Sequence, residues 1–325
     1  MKDAELELEQ PALPPAKQTA KQTAKRTAKQ TSQGLALFAV VITLLLWASA
    51  FVGIRIIGAN YSPGALSLGR LLIGTLVLSF FAIPTLKKLP KGWLTWRTGF
   101  AIFAYSLMWF AGYNVALNTA EQHLDAGTSA LLINIAPILI AIFAGIFLRE
   151  GFPRWLVIGG VVSLAGVALI ALGSGQRSSV DLLGIALCLL AAVFAALSVI
   201  IQKPVLRSIN AVHATWLGTG IGAICCLPFS GELIAAIDSA PIGSTLGVVY
   251  LGIFPTAIAF TSWAYALSRF NAGQLAASTY LVPAITVLMS WVLLNETPTA
   301  WGFIGGFVAL LGVAITRIRP RNRLD

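Results

Sequence analysis

Residues 126–168 read AGTSALLINIAPILIAIFAGIFLREGFPRWLVIGGVVSLAGVA, and residues 272–314 read AGQLAASTYLVPAITVLMSWVLLNETPTAWGFIGGFVALLGVA. Laid over one another at a shift of 146, they match without a gap: Gly127 on Gly273, Ala130 on Ala276, Pro137 on Pro283, Glu150 on Glu296, Trp155 on Trp301. Gly159-Gly160 then falls on Gly305-Gly306 and Gly166-Val167-Ala168 on Gly312-Val313-Ala314. Further upstream a shift of 150 pairs Gly34 with Gly184 and Ala116-Leu117 with Ala266-Leu267, the segment around Glu121–Leu124 supplying the difference. A proline, a glutamate, a tryptophan and four glycines in one register mark an internal duplication.

Working outward, the composition says where such a duplicate lives. Hydrophobic residues make up 57% of the 325 residues and charged ones 10%, too few to cover a water-soluble surface. At about 20 apolar residues per crossing the chain has room for roughly ten spans. They read as 34–57, 63–85, 98–119, 126–148, 154–173, 182–202, 211–229, 245–267, 272–294 and 299–317. The expected fold is an all-α polytopic membrane protein of ten transmembrane helices. Its repeats occupy residues 34–173 and 182–317, with a short basic tail at 318–325. Five helices per repeat is an odd number, so the second repeat enters the membrane from the opposite face. Such inverted repeats carry a binding site near the midplane and exchange its access by rocking.

The net charge of +10 maps to tails and short loops and signals no nucleic-acid partner. With the N-terminus cytoplasmic, that side gathers the Lys-rich tail, Lys87, Lys88, Lys91, Arg97, Arg149, Arg154, Lys203, Arg207, Arg269 and the four terminal arginines from Arg317 on. The other side holds Arg55 and Arg177 against Glu121, Asp125, Asp181, Glu232 and Asp238. The positive-inside bias places both termini in the cytoplasm, in the inner membrane. Residues 1–33, acidic and then a Lys-Gln-Thr-Ala repeat, have little to bury and are expected to be a disordered cytoplasmic tail, not a signal peptide.

Trp47-Ala-Ser-Ala-Phe51, Arg70, and the Pro137…Glu150…Gly159-Gly160…Gly166-Val167 run with its copy resemble the EamA type of the drug/metabolite transporter superfamily. The resemblance covers residues 34–317. It implies a ten-helix exporter or permease for small metabolites, with a central cavity lined largely by helices 1, 3, 4, 6, 8 and 9, and helices 5 and 10 at the periphery. In distant relatives, the small multidrug cation exporters, the first helix bears a glutamate. Here residues 34–57 hold no acid, which argues against proton-for-cation antiport through a central carboxylate.

No enzyme is expected. The nearest approach to a phosphate loop, residues 173–179, lacks the lysine, and no HExxH, Ser/His/Asp set or paired intramembrane Asp occurs. Cys188, Cys225 and Cys226 lie in apolar runs without metal-ligand spacing, and His123 and His213 stand alone, so neither metal nor cofactor is expected.

The substrate-binding candidates are Trp47, Arg70, Trp109, Tyr113, Asn114, Asn134 and Tyr280. Trp109 and Tyr113 share a helix face, and Trp47 lies nearer the midplane than an interfacial belt requires. Arg70 lies about two turns into its span with no acid beside it; it either snorkels outward, binds backbone carbonyls, or meets a carboxylate on an anionic or zwitterionic cargo. Pro137 and Pro283 are expected to kink helices 4 and 9, freeing the carbonyls of Ile133 and Thr279 beside Asn134 and Tyr280. Glu150 and Glu296 are read as helix-end anchors or as symmetric gates at opposite faces. The expected partners are a small-molecule cargo and the lipid bilayer; no motif specifies an oligomeric state. The leading function is secondary export of small metabolites such as amino acids. The alternatives are export of drug-like amphiphiles and a membrane scaffold or sensor without flux.

Overall fold

The computed structural model describes residues 15–123, 132–173, 181–294, 300–316 and 318, and every regular element among them is helical. Glu296 and Asp125 lie outside the described residues. The chain runs through α1 (Pro15–Ile57), α2 (Pro63–Ala82), α3 (Trp96–Ser106), α4 (Asn114–His123), α5 (Ala136–Phe147), α6 (Arg154–Gly173) and α7 (Leu182–Val205). It continues through α8 (Ala211–Cys225), α9 (Ser230–Ser239), α10 (Ile242–Leu251), α11 (Ala259–Leu267), α12 (Ala272–Ala277), α13 (Leu281–Leu294) and α14 (Ala300–Thr316). Among the described residues six continuous stretches are long and apolar enough to cross a membrane, and a seventh is bent by 56° between Ala211–Cys225 and Leu227–Ser239, next to Pro228.

Helix starts are set by side chains that satisfy otherwise orphaned amides. Ser62 accepts from Ala65 N with Pro63 following it, Thr95 from Thr98 N, Asp181 from Leu183 N and Asn210 from His213 N. Two differences from the sequence reading stand out. Helix α1 already begins at Pro15, inside the region expected to be disordered, because Ala, Lys, Gln and Arg are good helix formers that extend a helix nucleated by the apolar run behind them. Glu232 and Asp238, expected in a loop, sit on α9.

The outside of the bundle is apolar. Leu76, Phe80, Phe81, Val161, Leu246 and Phe307 are each at least 60% exposed, a surface that water would not tolerate over such an area and lipid does. The inside is tied by close approaches. Helices α6 and α14 run antiparallel with backbones in contact. A Cβ on Gly159 would stand 2.5 Å from the Gly312 carbonyl, and one on Gly166 would stand 2.6 Å from that of Gly305. Between these crossings the Ser163 hydroxyl donates to Ala309 O at 3.2 Å. Four of the glycines matched between the two copies, Gly159, Gly166, Gly305 and Gly312, thus let the two helices touch. Elsewhere α2 packs on α8, α1 on α11 and α13, α7 on α4 and α5, and α12 on α5.

Candidate functional site

Two of the long apolar spans, Trp96–Ala120 and Ile242–Leu267, each contain a π-helical turn. In the first, Leu107–Tyr113 joins α3 to α4; in the second, Gly252–Ile258 joins α10 to α11. Their causes differ. Pro255 has no N–H to give Leu251, four residues back, and the Thr256 hydroxyl takes up that carbonyl at 2.8 Å. In the other turn the Asn114 amide donates to the carbonyls of Trp109 (3.2 Å) and Phe110 (2.9 Å). Widened turns of this kind recur at functional sites because they re-aim side chains within a helix.

What they aim here is a five-ring aromatic cluster. Trp47 from α1 faces Trp263 (5.2 Å between centroids) and Phe260 (5.3 Å) from α11, and Trp109 at 6.5 Å. Trp109 stands edge-on to Phe260 at 5.3 Å and to Trp263 at 6.1 Å, and Phe110 lies 4.8 Å from Phe260. Trp109 and Trp263 are buried, and the Trp263 indole nitrogen is enclosed without a hydrogen-bond partner among the described residues. In this conformation the rings close upon each other at mid-bundle.

Arg70 is buried at 6% exposure, its Nε donating to Thr256 Oγ1 at 2.9 Å. The approach is close because Gly74 and Gly252 face it: a Cβ on Gly74 would meet Thr256 at 2.9 Å, and one on Gly252 would meet Ile73 at 2.6 Å. Tyr113 lies within electrostatic reach of Arg70, four residues beyond Trp109 on the same helix.

The structure therefore brings Trp47, Trp109, Tyr113 and Arg70 into one neighbourhood, with Asn114 turned to the backbone beside them. Tyr280 stands apart. It is buried among Leu156, Val167, Ala277 and Val313, against α6 and α14, and its hydroxyl is enclosed without a partner among the described residues. Asn134 is buried in the turn that precedes α5. Pro137 opens α5 after that turn, and Pro283 follows the 3-10 turn Ser278–Tyr280, so both breaks fall just N-terminal to their prolines.

At the end of the bundle that carries the α5–α6 connection, the Lys203 ammonium donates to Glu150 Oε1 at 2.5 Å and to Phe270 O at 2.6 Å. Glu150 Oε2 accepts from Gly273 N at 3.4 Å, in the first turn of α12. The helix end it complements thus belongs to the other copy, not to the helix that follows it. At the opposite end Asn60 donates to Ser244 (3.0 Å), Tyr61 pairs with Thr245 (2.9 Å) and Ser62 with Glu232. There too His123 Nδ1 meets Asp181 at 2.8 Å. The bond from His123, with that from Leu183 N, holds the Asp181 carboxyl below its ordinary value.

Sequence reasoning missed Phe110, Phe260, Thr256 and the pairing of Lys203. Trp263, toward the end of its apolar run, packs on Trp47. A proline and a threonine adjacent at mid-span, Pro255-Thr256, were a readable signal of opened backbone; Lys203 read only as topological charge.

The EamA-like transporter family model matches the chain twice, over residues 34–172 and 182–318. An uncharacterised transporter of Bacillus subtilis, YdfC, is 36% identical over 84% of this chain and 88% of its own length. A probable terminal-alkyne amino-acid exporter of Streptantibioticus cattleyicolor is 32% identical over 89% of this chain and 95% of its own. One solved crystal structure shares the fold with a TM-score of 0.70 at 19% identity, over 87% of this chain and 96% of that one. Apolar helices and doubled family match together make this a multi-pass membrane protein, and the chain belongs to the EamA-like transporter family.

Proposed function

We propose that this protein is a secondary exporter of small metabolites, amino acids or close relatives, working by alternating access between two inverted five-helix repeats in the inner membrane. The observation that carries the reading is the midspan aromatic cluster. Trp47, Trp109 and Phe110 come from one matched segment and Phe260 and Trp263 from the other, so relative motion of the two must part the rings. The ten-span count is supported by three shorter apolar helices, Ala136–Phe147, Arg154–Leu169 and Ala300–Thr316, beside the longer ones. The inversion is supported by the α6–α14 contact. Gly159 meets Gly312 and Gly166 meets Gly305, although the duplication equates Gly159 with Gly305 and Gly166 with Gly312. A pair related by a two-fold axis in the membrane plane makes this crossed pairing. The orientation with both termini cytoplasmic is supported by the distribution of Lys and Arg.

Amino-acid cargo is supported by the 32% identical relative named as an exporter of such a compound. Export of apolar, drug-like amphiphiles is a second reading, favoured by the five rings themselves. Counterflow in proteoliposomes, with radiolabelled leucine and phenylalanine against a cationic dye, decides between them. Flux of neither, in protein shown to be folded and inserted, would refute transport of either class.

A further inference from the structure

The guanidinium of Arg70 is the feature that the fold alone leaves unexplained. It sits in a buried stretch of α2 that runs from Gly64 to Leu71, and among the described residues no carboxylate lies within ion-pair distance of it. Arginine keeps its charge at any physiological pH, so burial away from water requires compensation from an anion or from a set of acceptors. The only hydrogen bond it makes among the described residues is from Nε to Thr256, which leaves the two terminal nitrogens of the fork unused. Those nitrogens are not among the fully enclosed unpaired atoms, unlike the Tyr280 hydroxyl or the Trp263 indole nitrogen; the fork keeps a small accessible area.

A purely structural role accounts poorly for this arrangement. Thr256 is already fixed by its own bond to Leu251 O at 2.8 Å, so the π turn does not need a cation to hold it. A snorkelling arginine reaches for the interface, and this one instead spends Nε on a threonine fourteen residues into the Ile242–Leu267 span. Anchoring through Nε is what presents the two terminal nitrogens side by side, the geometry that takes a carboxylate with two parallel bonds. Thr256, which holds Arg70, stands four residues from Phe260, so an anion on Arg70 is presented toward the aromatic cluster.

We propose that Arg70, oriented by Thr256, is the carboxylate-binding subsite of the transport path, and that the cargo is a small carboxylate with an apolar body laid toward Trp109. The proposal rests on the transporter reading and narrows its substrate class. A site built around an unneutralised cation also rejects cationic amphiphiles, since like charges in a low-dielectric interior repel.

The test compares phenylalanine, its amide and phenethylamine as inhibitors of counterflow, and as perturbants of tryptophan fluorescence, in the purified full-length protein. The parent is expected to bind phenylalanine at least tenfold more tightly than either analogue. Arg70→Gln and Arg70→Lys should each reduce that preference at least tenfold, and Thr256→Val should reduce it more modestly. The ratio of acid to amide within one variant is independent of how much protein folds, so a fall in yield does not obscure it. Equal loss of acid and amide binding in Arg70→Lys and Thr256→Val would mean a structural role and overturn the proposal. A parent protein that transports the amine or the dye but ignores every carboxylate would overturn it too, while leaving the transporter reading intact.

Discussion

Lys203 and Glu150, 53 positions apart, form an ion pair of 2.5 Å that is mostly withdrawn from water, with side-chain exposures of 16% and 12%. The same ammonium holds Phe270 O and the same carboxylate accepts from Gly273 N, so four segments meet at one point: the end of α5, the end of α7, the α11–α12 connection and the start of α12. These helix ends are thereby tied together at one face. Removing one partner of a buried pair costs about 3–5 kcal/mol, less where some water reaches it, because the survivor is left uncompensated.

The first prediction concerns this latch. Lys203→Met and Glu150→Gln should each shift the population toward a state open at that face, read as a rise of severalfold in labelling of a cysteine placed at Gln274. The background should lack Cys188, Cys225 and Cys226, of which Cys188 and Cys226 are buried. The exchange variant carrying Lys203→Glu with Glu150→Lys should return labelling toward the parent level. Unchanged labelling in both single variants would make the pair a static brace.

A second prediction tests the α6–α14 crossing. Gly166→Ala would place a methyl group 2.4 Å from Ala309 N, an atom of backbone that cannot move aside alone. Overpacking of this kind costs about 1–3 kcal/mol, so folded yield and Tm in detergent should fall. Gly160→Ala is the internal control: its Cβ would meet nothing within 4 Å, and a helical alanine is if anything favoured. Equal behaviour of the two variants would disprove the backbone contact.

These contacts show what the sequence made legible. The duplication set Gly159, Gly166, Gly305 and Gly312 apart as matched positions, but their meaning needed the antiparallel register, which only packing supplies. Trp47 and Trp109 could be singled out as candidates in the sequence, but their contact across the bundle could not. Nor could the π turns, since a turn that bonds five residues back has no signature beyond Pro255 or Asn114. Tyr280, which the repeat equates with Asn134, ends a 3-10 turn and packs among residues of α6 and α14, surroundings that no local pattern announces. Thr256 and Lys203 lie 186 and 53 positions from the residues they complete, beyond any local pattern.

The third prediction is a pH effect at the opposite end of the bundle. His123 and the Leu183 amide hold the Asp181 carboxyl below its ordinary value, so this group adds stability that is fully present above the unfolded pKa, about 3.9. The contribution is lost as pH falls through the lower folded value. Thermal unfolding of detergent-solubilised protein between pH 7 and pH 3 should therefore show a Tm advantage over Asp181→Asn that shrinks at the acid end. An advantage that stays constant to pH 3 would mean the bond does not select the charged form. Because Asp181 is solvent-exposed, the effect should be small and weaker at high salt.

The last prediction separates two roles for Trp109. Its ring touches Phe260, Trp263 and Trp47 and is 4% exposed, so as a core residue its truncation to alanine should cost about 3–5 kcal/mol. As part of the barrier that parts for cargo, it should also control flux in a way stability does not follow. Trp109→Phe is the informative change, because it keeps an aromatic face of smaller area and loses little packing. If the cluster meets the cargo, Trp109→Phe should raise the apparent KM several-fold while Tm stays within a few degrees, and cargo should protect Trp109→Cys from small thiol reagents. Leu76→Ala, on the lipid face at 61% exposure, should change neither quantity. Were Trp109→Phe to transport with the parent's KM, and Trp109→Cys to label at the same rate with and without cargo, the five rings would be packing alone. The path would then have to be sought on the other side of Arg70.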